Sequence, residues 1–209
     1  HNVSSAASDV YKRQGEDRGA RILSECAREI RSVVDLPIQA QCEPPHDHQW
    51  HCRMKEAGID SLGMHIEVVN PQLRRKIMPG KSQVSLEKYF ESFNFAVDVF
   101  GWGQVSTYIL AGLGDTVDEI IGICRKLTSI GVYPFVVPFV PVSGTPLESH
   151  APPSPKFMRS ILEPLAEMIK ESGMGADKIK AGCGRCGACS ALSAFERIKQ
   201  LSTREPLAC

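Results

Sequence analysis

Three closely spaced cysteines near the C-terminus are the residues best suited to chemistry. The segment AGCGRCGACS, residues 181–190, contains Cys183, Cys186 and Cys189 interspersed with three glycines. Spacers of two residues let successive thiolates converge on one centre, and glycines permit the tight turns that this requires. Thiolates favour zinc or iron–sulfur clusters, and zinc sites more usually consist of two separated Cys pairs. We therefore predict an iron–sulfur cluster, with zinc as the alternative and Cys209 as a candidate fourth ligand.

Composition indicates a packed domain and not a disordered chain. The chain has 209 residues, of which 43% are hydrophobic, and its 24 basic and 24 acidic residues give zero formal net charge. A neutral balance offers no general attraction to nucleic acid or to an acidic membrane surface. No apolar run approaches the roughly 20 residues that span a bilayer. Because no signal peptide is visible, a cytoplasmic location is expected.

From residue 19 onward, helical and strand patterns alternate, which predicts a parallel sheet with crossover helices. Two prolines in the last strand place it at a sheet edge, because proline cannot donate to a ladder. Four strand–helix units fall short of a closed barrel, which needs roughly 250 residues. The predicted strands cover residues 38–42, 61–68, 104–110 and 132–139, and the predicted helices cover 20–34, 50–57, 86–101, 115–131 and 155–172.

The chain divides into three predicted segments. Residues 1–14 lack hydrophobic periodicity and do not begin with methionine, so we interpret them as a non-native leader. Residues 15–175 carry the α/β pattern, and residues 176–209 form a cysteine-rich tail.

Polar and glycine residues at the ends of predicted strands form a second candidate site. Gly112 and Gly114 lie where the third strand meets the next helix, a usual position for ligands in parallel α/β folds. These glycines allow a nucleoside to approach the backbone, or they form a plain tight turn with Asp115 as helix cap. Gln41 and Glu67, after their own strands, could hydrogen-bond a ribose or an amino group.

Two other clusters have weaker chemical signals. His46 and His48, followed by His51 and Cys52, could hold a metal, although the neighbouring prolines favour an ordinary surface turn. The basic residues Arg74, Arg75, Lys76 and Lys81 could meet a carboxylate or phosphate, but a solvated loop is the simpler interpretation.

Four segments together resemble the radical S-adenosylmethionine (SAM) superfamily, in its biotin-synthase-like branch. They are IQAQCEPP (38–45), MKEAGIDSLGMHIEVVNP (54–71), VSTYILAGLGDT (105–116) and YPFVVPFVPVSGTPLE (133–148). The AGCGRCGACS tail is similar to that of a subgroup found near nitrilase genes. The resemblance implies part of a parallel, TIM-like (βα)6 partial barrel that holds S-adenosylmethionine at the C-terminal ends of its strands.

The resemblance also implies cofactor contacts. The ribose contact would fall at or near Glu67, and the family's glycine motif corresponds to Gly112 and Gly114. The backbone of the last strand would flank the adenine. The residues expected to contact S-adenosylmethionine are thus Gln41, Glu67, Thr107, Gly112, Gly114, Val137 and Pro138.

The chain departs from the family in one respect. The superfamily cleaves S-adenosylmethionine at a [4Fe–4S] cluster bound by Cys-x-x-x-Cys-x-x-Cys, and this spacing is absent from the sequence. The expectation is therefore a C-terminal fragment, itself inactive, whose cysteine tail holds an auxiliary cluster. The whole enzyme would form a 5′-deoxyadenosyl radical to abstract hydrogen from a small substrate, with flavodoxin or ferredoxin as electron donor. The alternative is a zinc-stabilised, non-catalytic α/β module.

Overall fold

Four parallel strands form one sheet, in agreement with the predicted fold class. The computed structural model describes residues 15–202, with side chains up to residue 197; the predicted leader and Cys209 lie outside this part. The strands pair in chain order, so that β4 lies at an edge of the described sheet as predicted. They are β1 (Gln39–Gln41), β2 (Ser61–Gly63), β3 (Val105–Ala111) and β4 (Val132–Pro138).

Helices alternate with the strands, and several of them begin at side-chain caps. Thr116 caps the helix that begins at Val117 in a reciprocal capping box with Glu119, and Ser85 and Ser154 cap the helices that begin at Leu86 and Pro155. No helix within residues 15–202 is long and apolar enough to cross a membrane. The helices are α1 (Ala20–Val33), α2 (Gln49–Glu56), α3 (Pro71–Ile77), α4 (Leu86–Phe100), α5 (Val117–Ser129), α6 (Pro155–Glu171), α7 (Cys183–Cys186) and α8 (Leu192–Ser202).

The two faces of the sheet differ in chemistry. One face of the sheet, called the helix face below, packs against the helices. Leu62 and Met64 on this face are fully buried, and Met64 contacts Ser92 of α4. Because side chains alternate along a strand, the neighbouring residues form the opposite, inner face. The inner face includes Gln39, Gln41, Ser61, His65, Gln104, Ser106, Tyr108, Tyr133, Phe135 and Val137.

Three local predictions were wrong. Strand β2 ends at Gly63, although an apolar alternation continues to residue 68, because the N–H of Ile66 bonds the side chain of Thr107 instead of the backbone of β3. The basic stretch predicted as a loop is helix α3, whose N-cap Asn70 accepts two backbone hydrogen bonds. Asp115 does not cap α5; its carboxylate instead accepts the backbone N–H groups of Val69 and Asn70, at 3.0 and 2.7 Å.

Gly122 offers a test of helix α5. It is exposed inside the helix, and a Cβ added there would meet no atom within 4 Å. Alanine loses less backbone entropy than glycine on helix formation, so Gly122→Ala should raise the free energy of unfolding by about 1 kcal/mol. Urea denaturation measures the change. Gly114→Ala is the matched control and should destabilise, because Gly114 has φ +116° and faces Leu73; stabilisation by both variants would contradict this account.

Candidate functional site

Glu67 lies at the C-terminal edge of the sheet in a left-handed conformation, with φ +65°. Its backbone is bound to β3 on both sides: its N–H donates to Tyr108 O and its O accepts from Leu110 N, each at 2.8 Å. Its carboxylate pairs with Lys81, whose ammonium group also donates to His65 O. Non-glycine residues held in this region cost about 1–3 kcal/mol and cluster at ligand sites. Glu67 is thus a rigidly oriented carboxylate.

His65 lies on the inner face beside β3. Its Nδ1 accepts the backbone N–H of Tyr108 at 3.1 Å, so Nε2 carries the proton in the neutral ring. Nε2 is buried without a hydrogen-bond partner. Burial, and secondarily the nearby Lys81, lowers the pKa of His65 to about 3. His65 is therefore a neutral imidazole with a fixed tautomer.

The glycine loop after β3 is shaped by the protein's own packing. Gly112 and Gly114 have φ of +106° and +116°. A Cβ on Gly112 would lie 2.8 Å from Pro153, and one on Gly114 would lie 3.0 Å from Leu73. His150 donates to Gly112 O at 2.7 Å. These contacts account for both glycines, and a cofactor contact at this loop stays a prediction.

An open groove of about 550 Å³ runs beside this loop. It lies between the N-terminal ends of α5 and α6 and is lined by Gly112, Thr116, Ser154 and Phe157 among others. Burial raises the pKa of Asp115 in its wall, and the hydrogen bonds from Val69 and Asn70 partly oppose this shift. Both helix ends are already capped by side chains.

The other residues predicted to contact the cofactor lie on different faces. Gln41 is on the inner face, with its amide 3.5 Å from Gln39 Oε1. Thr107 is fully buried on the helix face, and its hydroxyl accepts the N–H of Ile66 at 2.9 Å, so its side chain supports the fold. Val137 and Pro138 end β4, at the same edge as Ala111.

The cysteine tail lies against the inner face. Gln104 is bound from both sides, donating to Lys178 O and accepting from Lys180 N, both at 3.0 Å. Further along, Ser190 donates to Val136 O at 2.6 Å. Glu196 accepts hydrogen bonds from Tyr133 OH and Ala176 N. The tail is therefore anchored to β3 and β4 at several points along its length.

Tyr108 connects this tail to the sheet. Its hydroxyl lies near the thiols of Cys183 and Cys189. Cys183 is half-buried, Cys186 and Cys189 are exposed, and all three are free thiols. Burial raises the pKa of Cys183 and the hydrogen bond from Tyr108 lowers it. Within the described residues, no three His, Cys, Asp or Glu side chains are arranged to hold a metal ion.

Tyr108→Phe should change the reactivity of Cys183. Removing the hydroxyl that stabilises the thiolate should raise the pKa of Cys183 and slow its alkylation by iodoacetamide at pH 8. A hydrogen bond contributes about 0.5–1.5 kcal/mol, which corresponds to a rate about two- to ten-fold lower. Mass spectrometry of the metal-free chain gives the rate. Tyr89→Phe is the control, since the ring of Tyr89 packs against Arg74 and its hydroxyl has no hydrogen bond within the described residues; an equal effect of both variants would argue against a direct bond.

The remaining sequence candidates serve the fold. His51 is fully buried and its Nε2 lies 2.8 Å from Ser92 Oγ, while His46 is exposed. Arg74 is buried and donates to Ile66 O and Val68 O. Cys42 is buried as well, which raises the pKa of its thiol to about 12. Of the basic cluster, Lys81 does meet a carboxylate, that of Glu67.

The amino-acid sequence alone did not identify His65 and Tyr108 as site residues. The alternation of side chains along a strand could have identified them. His65 and Glu67 are two residues apart on the predicted strand and so share a face, and Tyr108 occupies the inner face of the next strand. The contact between Tyr108 and the cysteines has no local signal, because the two segments are far apart in sequence.

Comparison with known proteins finds one similar curated sequence and similar solved structures. No protein-family profile matches the chain. Bacteriochlorophyllide c C-7(1)-hydroxylase of Chlorobaculum limnaeum is 30% identical over 136 residues, which are 64% of this chain and 34% of the hydroxylase. The chain thus spans about a third of the length of this curated relative.

Two solved structures are similar. Coproporphyrinogen III oxidase from Escherichia coli, a radical SAM enzyme, aligns with a TM-score of 0.51 at 16% identity, over 74% of this chain and 37% of the oxidase. The radical S-adenosylmethionine methyltransferase TsrM from Kitasatospora setae aligns with a TM-score of 0.43 at 11% identity, over 88% of this chain and 48% of TsrM. The four parallel strands and their helices have the fold of a radical SAM partial barrel.

Proposed function

We propose that the chain is part of a radical SAM enzyme that acts on a small molecule. The observation that carries the proposal is the seating of the cysteine tail on the inner face of the partial barrel, through hydrogen bonds to Gln104, Val136 and Tyr133. Sequence similarity to the hydroxylase and the fold of coproporphyrinogen III oxidase support it. The finer assignment, to the biotin-synthase-like branch and its nitrilase-associated subgroup, rests on the sequence resemblance alone.

The residues at the C-terminal edge suit S-adenosylmethionine. The oriented carboxylate of Glu67 would accept hydrogen bonds from the ribose hydroxyls, and its ion pair with Lys81 would hold the carboxylate in position. Gln41 and the backbone of Val137 and Pro138 are further proposed contacts, and Gly112 and Gly114 shape the adjoining loop. The bound cofactor and its cluster would supply an organic radical. The chain's residues would bind, orient and shield it.

The tail is proposed to hold an auxiliary iron–sulfur cluster. Three free thiols with two-residue spacers are the donor set that such a cluster uses. The thiols of Cys183, Cys186 and Cys189 would turn toward one centre on binding. The alternative is a zinc-stabilised, non-catalytic module. Anaerobic reconstitution with iron and sulfide distinguishes the two. A reduced flavodoxin or ferredoxin would provide electrons in the cytoplasm.

The gene's upstream reading frame tests the superfamily assignment. Sequencing the source DNA on the 5′ side should reveal Cys-x-x-x-Cys-x-x-Cys in frame with residue 15. The longer chain, reconstituted anaerobically and given dithionite, should release 5′-deoxyadenosine from S-adenosylmethionine. A frame that continues without this spacing, or a longer chain that does not cleave S-adenosylmethionine, would contradict the proposal.

A further inference from the structure

A second cavity, of about 320 Å³, lies beyond the C-terminal end of β1. It is formed by the turn before α1, the loop after β1 and the start of α4. The described residues that line it include no tail cysteine and none of the proposed cofactor contacts. It is therefore a separate site. Its apolar wall consists of the buried residues Pro44, Pro45 and Val84, and its basic wall consists of Arg18, His46, His48 and Lys88.

Arg18 is held at this cavity in a left-handed conformation, with φ +50°. Its N–H donates to Gly15 O at 3.0 Å, and the N–H of His46 donates to Glu16 O at 3.1 Å, which ties the loop after β1 to the same turn. The guanidinium donates to one carboxylate oxygen of Glu43 at 3.3 Å. Non-glycine residues in this backbone region are strained and cluster at ligand sites. The fold thus presents a fixed guanidinium to the cavity.

Three side chains in the cavity wall have unused donors. Of the five N–H donors of Arg18, one on Nη1 bonds Glu43, and Nη2 lies 3.4 Å from Nε2 of His46. Because a guanidinium cannot accept, Nε2 of His46 is the acceptor, which leaves the Nδ1–H of that ring as a donor. Lys88 is exposed and makes no ion pair with the residues that the structure describes. Donors from three separate segments therefore surround one space.

The arrangement of these donors favours a phosphate group over a carboxylate. A phosphate carries up to two negative charges and accepts hydrogen bonds from several directions, and arginine and lysine both bind it well. The carboxylate of Glu91 also lines the cavity and weakens the attraction, but it is exposed at the solvent side of α4. The cavity exceeds the size of inorganic phosphate, and its apolar wall can pack against an organic group.

We propose that this cavity binds the phosphate group of a small phosphate ester. Arg18, His46 and Lys88 donate hydrogen bonds to the phosphate oxygens. The organic group of the ester packs against the two prolines and Val84. This site adds to the proposed function and depends on neither an iron–sulfur cluster nor S-adenosylmethionine.

Isothermal titration calorimetry of the full 209-residue chain, in phosphate-free buffer of low ionic strength, tests the proposal. Phenyl phosphate is the probe, with inorganic phosphate and benzoate as comparisons. Phenyl phosphate should bind at one site and more tightly than either comparison, because inorganic phosphate lacks the ring and benzoate lacks the tetrahedral oxygens. Lys88→Gln should weaken its binding about five- to ten-fold, as expected for one charged donor.

Two further variants sharpen the test. Lys126→Gln is the matched control, an exposed lysine on α5 outside the cavity, and should leave the affinity unchanged. Glu91→Gln removes a negative charge from the cavity wall and should strengthen binding about two- to five-fold. Because Lys88 and Glu91 are both exposed, neither substitution disturbs the core.

Four results would overturn the inference. They are the absence of saturable heat with phenyl phosphate, equal affinity for inorganic phosphate or benzoate, equal affinities of Lys88→Gln and Lys126→Gln, and weaker binding by Glu91→Gln than by the wild-type chain.

Discussion

Gly182→Ala should lower the free energy of unfolding by about 3 kcal/mol and loosen the cysteine tail from the inner face. Gly182 precedes α7 with φ 97° and ψ −166°, a region that is essentially restricted to glycine. A Cβ there would overlap the amide of Gln39, which donates to Ser106 Oγ at 3.2 Å. The substitution therefore adds backbone strain and displaces a bonded side chain.

Two measurements test the effect of Gly182→Ala. Urea denaturation gives the loss of stability, and reaction with a thiol reagent reports whether Cys183 becomes more accessible. Gly144→Ala is the matched control: Gly144 also has positive φ, +79°, but has no atom within 4 Å of an added Cβ. Equal effects of the two variants on stability and on Cys183 reactivity would show that Gly182 has no special role in seating the tail.

Mild acid should destabilise the folded protein, because two buried histidines would have to remain neutral. Burial lowers the pKa of His51 to about 4 and that of His65 to about 3, with smaller contributions from His48 and Lys81 respectively. Above the ordinary histidine pKa of about 6.5, both rings are neutral in the folded and unfolded chains and contribute no pH dependence. Below it, the unfolded chain binds protons that the folded chain does not.

The free energy of unfolding should therefore fall as pH decreases from about 6.5 toward 4, by up to about 2.7 kcal/mol per pH unit for two protons. Urea denaturation between pH 7.5 and 5 measures the slope. His51→Phe should roughly halve it, whereas Ser92→Ala removes the partner of His51 but keeps the titrating ring and the slope. A pH dependence of the free energy of unfolding that corresponds to fewer than one proton between pH 6 and 5 would contradict the burial of both rings.

Sequence periodicity was sufficient for most of the fold. The apolar stripes on α4 and α5 and the apolar runs of β3 and β4 predicted elements within a few residues of their observed bounds. The two helices each bury one face, and the two strands are buried along most of their length. Strand β2 was predicted too long because Ile66 and Val68 continue the apolar alternation and are buried even though the chain has left the strand.

The candidate site was less predictable because long-range contacts build it. Residues at strand ends could be named from the parallel topology, as Gln41 and Glu67 were. The position of the tail depends on Gln104 and Val136, which bind residues more than 50 positions later. Lys81 pairs with Glu67 across the intervening helix α3, a segment that was predicted as a solvated loop because of its basic residues.

Anaerobic reconstitution of the chain with iron and sulfide tests the central claim, that the tail cysteines bind an iron–sulfur cluster. The wild-type chain should gain iron and sulfide in equal amounts, with the broad visible absorbance of sulfide-to-iron charge transfer. Cys186→Ala should lose it, whereas Cys26→Ala, an exposed thiol on α1, should retain it. Stoichiometric zinc without that absorbance, or a chromophore unchanged in Cys186→Ala, would contradict the account.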